Sequence, residues 1–355
     1  MTSELIDRKS HDGPRSPNGR LTRRSALKGG LALGTGFTAK TFGIIGKASA
    51  AAVTLRFGSD SPIGAAHTKS ALVMKDLLES RTAGRLQVTI YPDAQLGNNG
   101  VMANSVKSGT LDAVVTDVGH LSVAVPELDV FSLPFLYKDS EQVLRFAEGP
   151  VGERLKPKIN EAFGCEVLGF TTQGPINMYN GRRPIRTPPD IAGLKMGSQA
   201  TKIARNTILA FGGIPTVIPI NALYTSLQTN LIDGASSSLP DMSDLKLYQV
   251  TKYLTLTNHY SLVNLLIVSK KFLDKLPPED RDIVRAVAKP ALDAQTAAIF
   301  DSLKSNVAVL QEKGLQIFQM EDPSAFAGKM ESVYKEAADS IGADIVEQAR
   351  RFTAT

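Results

Sequence analysis

The chain has 355 residues and a formal net charge of +5, which is unevenly distributed. The first 50 residues contain nine Lys and Arg residues against three Asp and Glu, which leaves 31 basic and 32 acidic residues in the other 305. This near-neutral remainder gives no indication of a nucleic-acid partner. The single cysteine, Cys165, excludes an intramolecular disulfide bond. A length of about 300 residues is sufficient for one large domain or two lobes.

Residues 1–50 are predicted to be an export signal. Arg23 and Arg24 precede a weakly apolar run over 31–45, and the small residues at 48–50 suit a cleavage site. The run is too short and too rich in Gly and Thr to span a bilayer. The paired arginines predict recognition by the twin-arginine export machinery, which moves folded proteins to the periplasm. A disordered basic leader or a membrane anchor is the alternative.

Strands and helices are predicted to alternate from residue 53 onwards. The strands are short runs of apolar or alternating residues, and the helices carry apolar residues at helical spacing. Two strand-helix-strand units within about 60 residues imply a parallel sheet covered by helices. The strands are predicted at 53–58, 86–91 and 111–116, and the helices at 64–80 and 100–108.

The same alternation recurs in the second half of the chain. A final helix is predicted to begin at Pro277 and to continue to about residue 313, which is long enough to brace two lobes. The predicted fold is therefore α/β, with two lobes, a hinge and a long helix that braces both lobes. The strands are predicted at 166–172, 177–180, 195–198, 215–219, 232–235 and 262–269, the helices at 200–211 and 222–229, and a helix start at 187–190.

The residue types that would indicate catalysis or metal binding lie far apart in the sequence. After residue 50 the histidines are His67, His120 and His259, which lack metal-binding spacing, so no metal site is predicted. No GxSxG serine and no nucleotide-binding glycine loop is present, so we predict no cofactor and no enzyme. His120 is expected to be a satisfied surface or loop side chain, whereas for His67 a ligand contact stays open. The alternative is a periplasmic enzyme that is exported folded by the twin-arginine route.

Hydroxyl and amide side chains follow several of the predicted strands. Ligands in open α/β sheets bind beyond the carboxyl ends of the strands, where helix N-termini offer free N–H groups. Such groups fit a small polar solute, although capping of helices by the same residues is the alternative. The candidate ligand-binding residues are Ser59, His67, Thr116 and Asp117 on one lobe, and Gln173, Gly197, Ser198, Ser236 and Ser237 on the other.

Short phrases in order along the chain resemble the solute-binding proteins of TRAP (tripartite ATP-independent periplasmic) transporters, of the dicarboxylate-receptor (DctP) type. Each phrase alone is weakly specific, but together they extend over nearly all of the chain after residue 50. They include YPDAQLG at 91–97, SGTLD at 108–112, FSLPFL at 131–136, GPVG at 149–152, TPPD at 187–190, YTSLQ at 224–228, TNH at 257–259 and LPPED at 276–280.

This resemblance implies a periplasmic binding protein fold whose two lobes close around one solute molecule. It also implies delivery of the solute to a TRAP membrane permease, with no ATP and no covalent chemistry. We expect lobe I to comprise 51–173 and about 263–302, and lobe II to comprise 174–262 and about 303–355. A receptor that serves a signalling partner instead of a permease is left open.

The predicted site departs from the pattern of the family. Members usually have an arginine at each of two positions that hold a substrate carboxylate, and here these positions are Ile176 and Gly197. Burying a carboxylate without a cation costs several kcal/mol. The resemblance still predicts an organic acid as the solute. A neutral solute is an alternative, and Asp60 and Asp117 near the predicted cleft also allow a cationic one.

Overall fold

One mixed sheet of nine strands runs through residues 52–354, the part of the chain that the computed structural model describes. The strand order is β2-β1-β3-β8-β4-β7-β5-β6, and β9 pairs with β8. The strands are β1 Val53–Gly58, β2 Leu86–Tyr91, β3 Ala113–Asp117, β4 Cys165–Asn180, β5 Lys195–Ser198, β6 Ile214–Val217, β7 Gly234–Ser238, β8 Tyr253–Ser269 and β9 Gln316–Gln319.

Thirteen α-helices accompany the strands in this part of the chain. None of the helices described is both long enough and apolar enough to cross a bilayer. The helices are α1 Lys69–Arg81, α2 Asn99–Ser108, α3 Val118–Ser122, α4 Ser140–Ala147, α5 Pro150–Phe163, α6 Lys202–Ala210, α7 Leu223–Gln228, α8 Leu239–Asp244, α9 Lys270–Leu273, α10 Pro278–Glu312, α11 Pro323–Ala327, α12 Glu331–Ile341 and α13 Ala343–Thr353.

The arrangement of the sheet explains the two lobes. Strands β1, β2 and β3 lie at one end, and β5, β6 and β7 lie at the other. The long strands β4 and β8 pair antiparallel with each other and belong to both halves. One part of β8 pairs with β3, while its first residues pair with β9. The chain therefore passes between the lobes along two adjacent strands, as in the two-lobe fold predicted from the sequence.

The strands β1 and β2 have the bounds that the sequence predicts. In contrast, the two strands predicted at 166–172 and 177–180 are one strand, β4. Gly174 has a φ of 87° and Pro175 follows it, which is why the sequence indicates a break. The register of β4 against β8 shifts between Thr172 and Gly174, so the chain accommodates the irregularity as a bulge and pairing continues.

The helix start predicted at 187–190 opens only a short 3-10 turn, Pro188–Ile191. The proline-rich segment does start a helical turn, but Gly193 with a φ of 74° stops the turn before an α-helix develops. The predicted helix at 64–80 begins later, because Ala66–Thr68 is also a 3-10 turn that precedes α1.

The long helix predicted after Pro277 is confirmed as α10, and its contacts reach both halves of the sheet. Gln295 accepts a hydrogen bond from Ser70 of α1. Further along, Asn306 accepts a bond of 2.7 Å from Ser243 of α8. Because α1 follows β1 and α8 follows β7, this one helix braces the two lobes.

Several residues of the phrases that resemble the family have structural roles. Asp112 forms a two-pronged ion pair with Arg56, with N···O distances of 2.8 Å. Asp190 completes a capping box with Thr187. Asp233, in a further such phrase, DG at 233–234, accepts a hydrogen bond of 2.9 Å from the backbone N–H of Lys195. These phrases therefore preserve the framework of the fold and do not by themselves define the site.

Candidate functional site

A cavity of about 220 Å³ lies beside the ends of β3 and β5 and along β7. Its walls come from both ends of the sheet, because Asp117 closes β3 while Ser198 closes β5. The apolar lining includes 217–220, Leu223 and Leu262. The polar lining consists of Asp60, Asn98, Asn99, Asp117, His120, Gln173, Ser198, Gln199, Ser236, Ser237 and Asp241.

Six of the nine candidate residues line this cavity, namely Asp117, Gln173, Gly197, Ser198, Ser236 and Ser237. Ser59 and His67 instead line a smaller cavity, which shares Asp60, Asn99 and Gln173 with the larger one. Thr116 lines neither cavity and is buried. Successive side chains of a strand point to opposite faces, so Asp117 faces the larger cavity and Thr116 points away from it.

Sequence reasoning missed several lining residues that lie at helix N-termini. Asn98 caps α2, and its side chain accepts a hydrogen bond from the N–H of Val101. Asp241 lies in the first turn of α8, where it forms a capping box with Ser238. The spacing of Ser238 and Asp241 is a recognisable capping signal. It locates the helix start but does not reveal that the helix start faces a cavity.

Asp117 and His120 form an ion pair at the wall of the cavity. Burial alone would raise the pKa of Asp117, but the charge of His120 and the hydrogen bonds from its ring and backbone lower this pKa below the usual value. The charge of Asp117 in turn raises the pKa of His120. The prediction that His120 is a satisfied side chain is compatible with this pairing, although the residue also lines the cavity.

Two further carboxylates lie in a less favourable environment. Burial is the main cause that raises the pKa of Asp60 to about 6, and the charges of Asp241 and Asp117 act in the same direction. Burial also raises the pKa of Asp241 to about 6, although hydrogen bonds from Ser238 and Gln173 oppose the change. The carboxylates therefore repel one another within a partly desolvated space.

His67 lies close to these carboxylates, and its charge acts to lower the pKa of Asp60, but it forms no hydrogen bond with them. Burial lowers its pKa, although the charges of Asp60 and Asp244 oppose the change. Its Nδ1 lies 3.9 Å from the nearer oxygen of Asp241, which is too far for a hydrogen bond. Neither ring nitrogen has a hydrogen-bond partner among residues 52–354. The imidazole therefore lies beside the carboxylates without a hydrogen bond of its own in the described chain.

Other polar atoms of the cavity wall are also unpartnered within the described part of the chain. They are the hydroxyls of Ser198 and Ser236 and the side-chain oxygen of Asn99. Buried polar groups nearly always have a hydrogen-bond partner, and a buried donor or acceptor without one costs about 1–3 kcal/mol. A polar ligand in the cavity would supply these partners.

The family model "Bacterial extracellular solute-binding protein, family 7" (DctP) matches residues 57–340. The chain belongs to this family. It is 28% identical over 298 residues to the sialic acid-binding periplasmic protein SiaP of Vibrio cholerae, covering 84% of this chain and 92% of that protein. It is 27% identical over 342 residues to the C4-dicarboxylate-binding periplasmic protein DctP of Rhodobacter capsulatus, covering 94% of this chain and 99% of that protein.

Solved structures of TRAP periplasmic solute-binding proteins share the fold. One from a Polaromonas species, with bound D-erythronate, has a TM-score of 0.80 and 30% identity, and the match covers 84% of this chain and 98% of that one. One from Chromohalobacter salexigens, with bound D-glucuronate, has a TM-score of 0.80 and 27% identity over 84% and 99% of the two chains. This member of family 7 is therefore a periplasmic solute-binding protein with the two-lobe fold.

The two positions at which the resemblance implies arginine have other surroundings here. Ile176 is buried in a small apolar cluster with Tyr260 and Leu262. Gly197 lines the cavity, but a Cβ at this position would lie 2.9 Å from Ile232 and 3.1 Å from Ala235. A side chain at residue 197 would thus begin within apolar packing.

We expect Gly197→Arg to abolish binding of the natural solute and to lower the free energy of unfolding by about 1–3 kcal/mol, because the new side chain crowds tightly packed neighbours. Gly328→Arg is the matched control, since a Cβ at Gly328 would meet nothing within 4 Å. Thermal unfolding and titration calorimetry of both variants measure the effects. Unchanged stability and unchanged binding in Gly197→Arg would show that residue 197 neither packs nor lines the site as described.

Proposed function

We propose that the protein is a receptor that binds one small polar solute in the cavity of about 220 Å³ and delivers it to a TRAP permease. The observation that carries this proposal is the set of unpartnered polar atoms on the cavity wall. Ser198 and Asn99, which come from opposite ends of the sheet, both contribute to it. A solute that bonds to both ends would favour the closed arrangement of the lobes. We propose that the lobes have the boundaries expected from the sequence and that β4 and β8 are the hinge strands.

The relatives indicate the first class of solute to test. Their names and bound ligands include sialic acid, C4-dicarboxylates, D-erythronate and D-glucuronate, all organic acids. An organic acid is therefore the first class proposed for this chain. The sequence also allows neutral and cationic polar solutes.

We also propose that the protein has no catalytic turnover. Asp117 and His120 resemble a base and its orienting carboxylate, but no nucleophilic side chain is hydrogen-bonded to the imidazole among the described residues. Within the same residues, no group of three or more His, Cys, Asp and Glu could hold a metal ion. Recovery of each solute chemically unchanged after incubation with the protein would support a receptor, and conversion of a bound solute would contradict it.

Solute binding can be measured directly on the mature protein. A screen of small polar solutes by thermal unfolding, followed by calorimetric titration of each hit, should identify a solute that binds with 1:1 stoichiometry and raises the unfolding temperature. Small-angle X-ray scattering should show a smaller radius of gyration with the solute present. Absence of any binding across all solute classes would contradict the proposed function.

Residues 1–50, which lie outside the described residues, are proposed to be a signal peptide read by the twin-arginine machinery. We expect replacement of both Arg23 and Arg24 by lysine to leave the precursor in the cytoplasm, because this route reads the arginine pair itself. Cell fractionation with antibody detection measures the outcome, and Lys28→Arg is a charge-conserving control. Normal periplasmic yield of the double variant would mean that the general secretory route exports the protein.

A further inference from the structure

We propose that the solute carries a positively charged group, such as a protonated amine, and that this group binds against Asp60 between Asp117 and Asp241. This inference rests on the proposed receptor function and specifies the charge of its solute. The proposed charge differs from that of the ligands of the relatives, whose names or bound ligands refer to organic acids. An organic acid that also bears an amine would satisfy both the relatives and this cavity.

The charged side chains of the cavity wall are mostly acidic. Three carboxylates and one histidine line the cavity, and no lysine or arginine of the described chain does so. Lys107 first appears in an adjoining cavity, which shares Asp117 and His120 with the first. A solute with only negative charge would therefore enter a space that already holds an excess of negative charge, where the one histidine, His120, is already paired with Asp117.

Asp117 and Asp241 already have partners. Asp117 accepts a hydrogen bond from the backbone N–H of His120 and pairs with its ring. Asp241 accepts a bond of 3.0 Å from the side-chain amide of Gln173 and caps α8. Both residues could therefore be explained by structural needs alone.

Asp60 differs because no structural need accounts for it. In the described residues its carboxylate accepts one hydrogen bond, from the hydroxyl of Ser61 at 3.3 Å, and it forms no ion pair with a lysine or arginine. It caps no helix, yet it lines both the main cavity and the smaller one beside it. A carboxylate that faces a cavity without a cationic partner is a site for a cationic ligand group.

The remaining cavity groups can hold the rest of such a solute. The hydroxyls of Ser198 and Ser236 are unpartnered within the described chain and can donate to a carboxylate or accept from a hydroxyl. His120, whose pKa is raised by the charge of Asp117, lies on the side of the adjoining cavity with Lys107. A zwitterionic solute could thus direct its ammonium group to Asp60 and its carboxylate towards these donors.

Binding should depend on pH in a direction that identifies the charge of the solute. The groups that titrate or carry charge around Asp60 are His67, Asp117, His120, Asp241 and Asp244. Below about pH 6 the carboxylates of Asp60 and Asp241 take up protons. A cationic group should then bind more weakly at pH 5 than at pH 7.5, whereas a purely anionic solute should bind more tightly.

The test uses solutes that match in size and differ in charge. Succinate, 4-aminobutyrate and putrescine share a four-carbon chain and carry two, one and no carboxylates, while D-glucuronate and D-glucosamine form a second comparison. We expect calorimetric titration at pH 7.5 to detect an ammonium-bearing solute and to show weaker or no binding of its purely acidic counterpart. Asp60→Asn should weaken that binding by about 10- to 100-fold.

Asp76→Asn is the matched control, because Asp76 is exposed on α1 and its side chain forms no hydrogen bond or ion pair with the described residues. The affinity of the Asp76→Asn variant for the ammonium-bearing solute should equal that of the unmodified protein. The inference would be overturned if succinate or D-glucuronate bound, if Asp60→Asn left that binding unchanged, and if no ammonium-bearing solute bound. The receptor function would remain intact in that case. Failure of every solute to bind would count against both the inferred charge of the solute and the receptor function.

Discussion

Replacing Asp60 with asparagine is expected to stabilise the ligand-free protein at pH 7.5 while it weakens solute binding. The pKa of this carboxylate is raised from 3.8 to about 6, so the folded protein holds an ionised group in an unfavourable environment. A shift of this size corresponds to about 1–3 kcal/mol after allowance for partial exposure and for coupling to His67. Asparagine keeps the oxygen that accepts the hydrogen bond from Ser61 and removes the charge.

The pH dependence of this effect has a defined sign. When the pKa of an acid is higher in the folded state, the folded protein binds more protons between the two pKa values, so stability falls as pH rises through that range. The destabilisation by Asp60 is therefore complete above about pH 6 and absent below about pH 4. Thermal unfolding of Asp60→Asn should show a higher midpoint at pH 7.5, and the gain should decrease from pH 6 to pH 4.

Asp76→Asn again serves as the control, and its unfolding midpoint should match that of the unmodified protein at both pH values. A lower midpoint for Asp60→Asn at pH 7.5 would mean that the carboxylate stabilises the empty fold. Asp60 would then be a structural residue, and its charge would no longer point to a ligand. A gain that is the same at pH 4 and pH 7.5 would also contradict the account, because it could not come from the ionised carboxylate.

Replacing Gly152 with alanine should cause a larger loss of stability than replacing Gly197 with arginine. A Cβ at Gly152 would lie 1.6 Å from the carbonyl oxygen of Ala147, which is backbone and cannot rotate away. The start of α5 would have to move relative to the end of α4, against which it packs. We expect the free energy of unfolding to fall by about 3–5 kcal/mol.

Gly328→Ala is the matched control for this substitution. Gly328 has a φ of −62°, and a Cβ there would meet nothing within 4 Å. Its stability should be unchanged or should increase by about 0.4–1 kcal/mol, because alanine restricts the unfolded chain. Chemical denaturation measures both variants. Equal stabilities for Gly152→Ala and the unmodified protein would show that α4 and α5 are not in the described contact.

The fold was largely predictable because its signals are local. Strand β2 alternates apolar and polar residues and ends at a Pro-Asp turn, so its bounds follow from the sequence alone. Strand β4 contains Gly174 and Pro175, which resemble a turn by the same local criteria. Only its pairing with β8 along the whole length shows that the chain continues as one strand. That pairing is a long-range contact, and residue spacing does not reveal it.

The residues that line the cavity were predictable where they follow from strand ends. Asp117 and Ser198 directly end β3 and β5, and the rule that ligands bind beyond strand ends places them at the cavity. Thr116 does not line the cavity, because the face on which a strand side chain lies depends on register. Asp241 was missed because its local signal is helix capping, and its exposure to the cavity depends on how α8 packs.

Mass spectrometry of the small molecule released on denaturation is the most direct test of the receptor function and of the solute it serves. The protein should be purified from the periplasm of its own bacterium without added ligand, and both the released compounds and the metal content should be measured. We predict one small polar solute that bears an amine, in an amount approaching one per chain, and no organic cofactor. Stoichiometric flavin, pterin or metal in place of such a solute would contradict the receptor function.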